Sequence, residues 1–138
     1  MIFMKKNRGM LTMALSAVVT FCYAGPIQDM PEGVSVEQMQ APCVVEFYSP
    51  SCTHCKQMAP IYKKVAAHDA KGTNFYRVNA DNMARANTIA STITNNQMSK
   101  LNGVPTFVFV NKDGTTNGKI ASGGMSQREL QNRIAQLQ

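Results

Sequence analysis

The chain predicts an α/β domain in which a central mixed sheet is flanked by helices, and three observations carry that prediction. The run Cys43 to Tyr48 is mostly apolar and barely alternates, as a strand covered on both faces should be. An amphipathic stretch follows, with Met58, Ile61, Tyr62 and Val65 at helical spacing and Lys56, Lys63 and Lys64 elsewhere on the wheel. The remaining segments then run strand, helix, hairpin, helix. At 138 residues the length is that of one domain.

Taken in order, the chain opens with a segment that does not belong to this domain. Lys5, Lys6 and Arg8 form a basic flank, Met10 to Tyr23 an apolar core, and Ala24 ends a cleavage site, so residues 1–24 read as a secretory signal with Gly25 first in the mature chain. The core is shorter than the ~18 residues a membrane span requires. An uncleaved N-terminal membrane anchor is the alternative, and lipid attachment at Cys22 is disfavoured by the bulk of Phe21. Gly25 to Ala41 is polar, with Pro26, Pro31 and Gly33, and is expected to form a loose lead-in holding one short strand or helical turn, of which residues 25–34 precede the domain. The domain proper is assigned to residues 35–138.

Pro60 lies inside the first helix and should bend its axis without ending it, because the apolar period continues beyond it. Phe75 to Asn79 reads as a second strand, and Asp81 or Asn82 can cap a helix whose long face would be Met83, Ala86, Ile89, Ile93, Gln97 and Leu101. The Thr- and Asn-rich residues 88–96 weaken that helix. Thr106 to Val110 is a β-branched and aromatic strand, Asn111 to Gly114 a turn, and Lys119 to Ser122 its antiparallel return. Ser126 with Glu129 three residues on forms a capping box for a last helix faced by Leu130, Ile134 and Leu137.

Charge excludes one broad class of function. The three basic residues of the signal account for part of the +6 net charge, leaving eleven Lys and Arg against eight acids in the mature chain. No basic cluster with interleaved aromatics appears, so nucleic acid is not an expected partner.

The chemistry centres on Cys52 and Cys55, a Cys-X-X-Cys pair where strand gives way to helix. Two such cysteines can close a small disulfide or attack another. At a helix N-terminus the unpaired N–H groups and the dipole favour a thiolate, which should bring Cys52 below the usual thiol pKa of about 8.5. His54 and Lys56 add positive or hydrogen-bonding character beside it. Glu46, set among Val44, Val45 and Phe47, is expected to be buried without a cationic partner, and burial then raises its pKa. Cys43 lies nine positions before Cys52 at the far end of a strand, ~15 Å or more away. That is too far for a disulfide, and Cys43 is read as a small buried hydrophobe.

The stretch Val45-Glu46-Phe47-Tyr48-Ser49-Pro50-Ser51-Cys52-Thr53-His54-Cys55-Lys56 resembles the active-site segment of the thioredoxin superfamily, and most of all that of protein disulfide isomerase domains. Pro60 matches the proline of the family's active-site helix, and Gly103-Val104-Pro105-Thr106 matches the segment carrying its cis-proline. The similarity runs over residues 35 to 138. It implies a thioredoxin fold and thiol–disulfide oxidoreductase activity, with Cys52 as nucleophile, Cys55 as resolving thiol and His54 supporting the thiolate. It further implies that Glu46 is a buried acid exchanging protons with Cys55, and that Pro105 is cis against the disulfide. The backbone of Val104, with Thr53, is then implied to meet an extended substrate. Generic X-Pro bonds are cis in only about one case in twenty, so the resemblance, not the dipeptide, carries the cis expectation.

Three departures stand out. Ser51 replaces the usual Trp and Thr53 the usual Gly or Pro, and residues 87–97 make the connection to the proline loop about nine residues longer than in thioredoxin, a length at which an added segment can shape substrate binding. The resemblance calls for no bound cofactor and no metal. Its implied partners are protein or peptide thiols and disulfides and a membrane redox protein, met by a monomer in the periplasm. A different class is copper(I) binding by Cys52, Cys55 and His54 aided by methionine. The six methionines of the mature chain are dispersed singly, which favours gap-filling in the core.

Overall fold

The computed structural model describes residues 27–30, 35–68, 72–116 and 119–137; the expected signal at 1–24 lies outside them. Its centre is a five-stranded sheet built from β1 (Gln28–Asp29), β2 (Cys43–Tyr48), β3 (Asn74–Asn79), β4 (Thr106–Val110) and β5 (Ile120–Ser122), in the order β1-β3-β2-β4-β5. Helix α1 (Thr53–His68) joins β2 to β3, α2 (Met83–Ile93) joins β3 to β4, and α3 (Gln127–Ala135) ends the domain. This is the thioredoxin fold.

The connections dictate the pairing. A helical crossover returns the chain in the same direction, so β2 and β3 are parallel, whereas the tight Asn111–Gly114 turn sends β5 back antiparallel to β4. Side chains alternate across each strand, and the two faces of β2 serve different layers. Val44 packs with Met58, Tyr62, Val65, Phe107, Phe109 and Leu130 on the α1 and α3 side. Cys43, Val45 and Phe47 pack with Ala86, Ile89 and Ile93 on the α2 side. Glu46 is two residues from Val44 and therefore points toward α1.

Helix α1 continues through Pro60 as its periodicity requires, and it buries Met58, Tyr62, Val65 and Ala66. Tyr62 fixes it in place. Its hydroxyl donates to the carbonyls of Val44 in β2 (3.1 Å) and Tyr76 in β3 (2.8 Å), while its ring meets Phe75 and Phe107 edge-on.

Two expectations change on contact with the structure. The face running from Met83 to Leu101 is not one helix, because α2 stops at Ile93. Thr94 turns its hydroxyl back to the Ala90 carbonyl (2.6 Å), and Asn95 and Asn96 take left-handed conformations (φ 50° and 64°) that few residues other than glycine adopt as readily. Leu101 is buried from the loop beyond, whereas Met83 is exposed. The polar lead-in, expected to hold one short strand or helical turn, holds both. Gln28 and Asp29 pair in parallel with Tyr76 and Arg77, and Val36–Gln38 forms a single 3-10 turn. The caps fall where the sequence places them, with Asn82 accepting from the Arg85 N–H and Ser126 from the Glu129 N–H.

Tyr62→Phe removes one buried hydroxyl that serves two carbonyls, and the expected cost is about 1–3 kcal/mol. Urea denaturation checks it, and a loss below a few tenths of a kcal/mol would mean that the clamp contributes nothing.

Candidate active site

The polypeptide leaves β2 at Tyr48, makes a turn in which the Cys52 N–H donates to the Ser49 carbonyl (3.1 Å), and enters α1. Cys52 thus occupies the capping position, its own carbonyl accepting from the Lys56 N–H (3.1 Å). Its Sγ does what a capping oxygen usually does and accepts the Cys55 N–H at 3.2 Å. A helix start needs such an acceptor, and here the acceptor is the sulfur.

Several groups therefore hold the Cys52 thiol below its ordinary range. The Cys55 thiol contributes most, and the backbone N–H groups of Cys55 and His54 add to it against partial burial and the charge of Glu46. Cys55, one turn deeper, is buried, and burial with the hydrogen bond to Cys52 pushes it up to about 11. The two thiols of one motif are thus pulled in opposite directions. Both are free, as is Cys43, whose burial raises it to about 12.

Opposite Cys52 lies the loop that leads into β4. The Cys52 thiol donates to the Val104 carbonyl at 3.6 Å, and the Val104–Pro105 bond is cis. Contacts from three directions hold this loop. Asn87 of α2 accepts the Leu101 N–H (2.9 Å), the Thr106 hydroxyl donates to the Gly103 carbonyl (2.8 Å), and the Gly123 N–H donates to the Pro105 carbonyl (2.8 Å). Gly123 sits at φ 89°, where a side chain would be strained.

Glu46 is completely buried, and among the described residues neither carboxylate oxygen has a hydrogen-bond partner. The sequence suggests no cation near it, but the parallel register places Arg77 directly across from it. The Arg77 Nε lies 3.7 Å from Oε2, close enough for charge to act and too far for a hydrogen bond. Burial nevertheless prevails over this charge, and Glu46 is raised to about 7, with Asp29 adding to the rise.

The other expected residues fall around this centre. Thr53 and His54 are exposed on the first turn of α1, and among the groups acting on Cys52 His54 appears through its backbone N–H. Its side chain borders a cleft of about 340 Å³ with Gln57, Ile61, Met125 and Glu129. Ser51, in the place of an aromatic, joins a polar chain in which its hydroxyl meets that of Ser49 (3.1 Å) and Ser49 donates to Asp81 (2.7 Å). Arg77 escapes sequence reasoning altogether, and Asn87 enters it only as the first residue of the 87–97 segment, without the contact it makes. The first is signalled only by strand register, and the second only by the fold of the loop it holds. Among the described residues no group of three or more His, Cys, Asp and Glu side chains is placed to hold a metal ion.

An oxidisable dithiol at a helix N-terminus, set against a cis-proline loop in this fold, is an arrangement equipped for thiol–disulfide exchange. Comparison with known proteins agrees. The thioredoxin family model matches residues 33–136, and the chain belongs to that family. It is 30% identical over 96 residues to the chloroplastic thioredoxin-like protein HCF164 of rice, a match covering 68% of this chain and only 33% of the rice protein. It is 29% identical to the thiol:disulfide interchange protein TxlA homolog of Synechocystis, over 92% of this chain and 71% of that one. Among solved structures, chloroplastic thioredoxin z shares the fold at a TM-score of 0.60 with 16% identity, over 80% of this chain and 93% of that one.

The raised acid makes stability depend on pH. Because Glu46 sits at about 7 in the folded protein against an ordinary 4.5, its favourable contribution is complete below about pH 4.5 and is lost as pH rises through 7. The stability of Glu46→Gln relative to the unmodified reduced protein should therefore improve by about 3 kcal/mol between pH 4.5 and pH 8.5. Urea midpoints at the two pH values measure this, and a constant difference would show that Glu46 titrates normally.

Proposed function

We propose that the protein is exported and reduces, forms or exchanges disulfides in protein and peptide partners through the Cys52/Cys55 couple. The observation that carries this reading is the opposed pair of thiols. Cys52 is stabilised as thiolate and open to solvent at the helix start, while Cys55 beneath it is kept protonated.

In the reducing direction the Cys52 thiolate attacks one sulfur of a partner disulfide. The Cys52–partner bond forms, the partner's S–S bond breaks, and its other sulfur leaves as a thiolate that takes a proton from water. Glu46, as carboxylate, then accepts the Cys55 proton, and the Cys55 thiolate attacks Cys52 Sγ. The Cys52–Cys55 disulfide forms as the Cys52–partner bond breaks, and the second partner sulfur leaves as a thiolate that takes a proton from water, so two electrons pass to the partner; Glu46 later returns its proton to solvent. The same steps in reverse donate a disulfide. The Val104 carbonyl accepts from the Cys52 thiol, and ionisation of that thiol leaves the carbonyl free to accept an N–H from an extended partner chain. Pro105, which donates no hydrogen bond, shapes the surface beside it, and Thr53 borders the incoming chain. His54 supports the thiolate.

The basic-then-apolar segment at residues 1–24 supports export to an oxidising compartment, where disulfide exchange has substrates. A monomer of this kind depends on a membrane redox partner to reset its couple.

The purified domain should reduce a model protein disulfide in the presence of dithiothreitol. Cys52→Ser should abolish turnover, and Cys55→Ser should accumulate mixed disulfides visible on non-reducing gels. Full activity in Cys52→Ser would falsify the assignment. Equilibration with glutathione in a Cys43→Ser background fixes the direction of electron flow. A potential near about −120 to −180 mV identifies a disulfide donor, and one near about −250 mV or lower a reductase.

A further inference from the structure

Strand β1 has only two residues, yet it aligns with the acid beneath the dithiol. The registers place Asp29 opposite Arg77 and Arg77 opposite Glu46, so the three lie in one row across adjacent strands. Phe107 of β4 continues the row on the far side of Glu46. Further contacts fix β1 at this level, because the Met30 N–H donates to the Arg77 carbonyl (2.8 Å) and the Met30 carbonyl accepts from the Arg85 guanidinium (3.1 Å).

Among the described residues, the Arg77 guanidinium meets Tyr48, Asp29 and Glu46 and is fully engaged by none of them. Its guanidinium lies on the Tyr48 ring, 3.8 Å from the centroid, with one nitrogen 3.9 Å from Asp29 and another 3.7 Å from Glu46. A carboxylate and an arginine left to themselves close to about 2.8 Å and pair through two hydrogen bonds. Here both Glu46 oxygens and the Arg77 Nε are buried without a hydrogen-bond partner among the described residues. The cation is shared between a buried acid and an exposed one.

We propose that Asp29 is a positioning residue for the dithiol chemistry: it draws the Arg77 guanidinium away from Glu46, so that Glu46 stays unpaired and free to take and return the Cys55 proton. The proposal rests on the thiol-exchange reading of the site. The groups acting on Glu46 are few. Arg77 approaches from β3 and Asp29 from β1, Cys52, Cys55 and Tyr62 feel its charge from α1 and its leading turn, and β4 offers the uncharged Phe107. Lys63 of α1 borders the cleft of about 380 Å³ shared by Asp29 and Arg77. Losing Asp29 lets Arg77 close on Glu46 and favours the carboxylate. It also removes a negative charge from the neighbourhood, and the experiment separates the two effects.

The Asp29 side chain is 74% exposed, so Asp29→Asn should fold normally. The midpoint of Glu46 is read by carbon NMR of its side-chain carboxyl in the reduced full-length protein, alone and in an Arg77→Gln background. Asp29→Asn should lower the midpoint by about one pH unit when Arg77 is present and by less than about a third of that when it is absent. Asp29→Glu should restore it. The proposal is overturned if the midpoint does not move, or if it moves equally in both backgrounds, which would reveal a direct field effect of Asp29. Should Arg77→Gln not fold, Arg77→Lys serves, since a lysine held by Asp29 predicts the same downward shift and an idle one predicts none. The pH dependence of disulfide reduction should follow the NMR midpoint. A protein inactive in disulfide exchange but with the expected titrations would refute the function and leave the positioning of Arg77 standing.

Discussion

A fully buried carboxylate with neither oxygen hydrogen-bonded among the described residues is the constraint on which this molecule turns. Burying such a group as a charge costs several kcal/mol, so Glu46 holds its proton far above the range of an ordinary acid. A well-formed pair with Arg77 would relieve that cost and would also leave a permanently ionised acid. The geometry stops short of it, with Arg77 against Tyr48 and between two carboxylates. The same burial explains why β2 is apolar on both faces and why Phe107 closes the row beside Glu46.

Around that acid the domain is held by contacts between elements distant in sequence. Tyr62 joins α1 to two parallel strands, Asn87 joins α2 to the proline loop, and Gly123 joins the end of the hairpin to Pro105. Each contact anchors one wall of the dithiol site to a different layer of the fold. The segment 87–97, expected to lengthen the connection to the proline loop, forms the second half of α2 and its end: Asn87 holds the loop, while Thr94 and the paired asparagines end the helix and Leu101 is buried beyond it.

Much of this was legible in the sequence, for identifiable reasons. Strand β2 and helix α1 declare themselves because their burial is strong and their periods differ, and the capping residues Asn82 and Ser126 announce helix starts by local chemistry alone. Cys52 and Cys55 are legible because their spacing is itself the chemistry. The limits have physical causes as well. Continuous helical periodicity from Met83 to Leu101 concealed the break at Asn95 and Asn96, which depends on backbone conformation and not on hydrophobicity. Arg77 sits in a strand pattern that reads as half-exposed, and only the register that aligns β1, β3 and β2 brings it to Glu46. Strand pairing between distant segments cannot be read from local pattern.

Cys43 begins the strand that leads to the candidate active site, yet it faces the opposite side of the sheet. It is 3% exposed, and its thiol is kept neutral far above physiological pH. Thiol reagents applied to the folded, reduced domain therefore meet one reactive sulfur at Cys52 and a shielded one at Cys55, while Cys43 stays silent until the sheet opens. The chain carries its own reporter of integrity: labelling at Cys43 counts molecules that have come apart, independently of the redox state of the working pair.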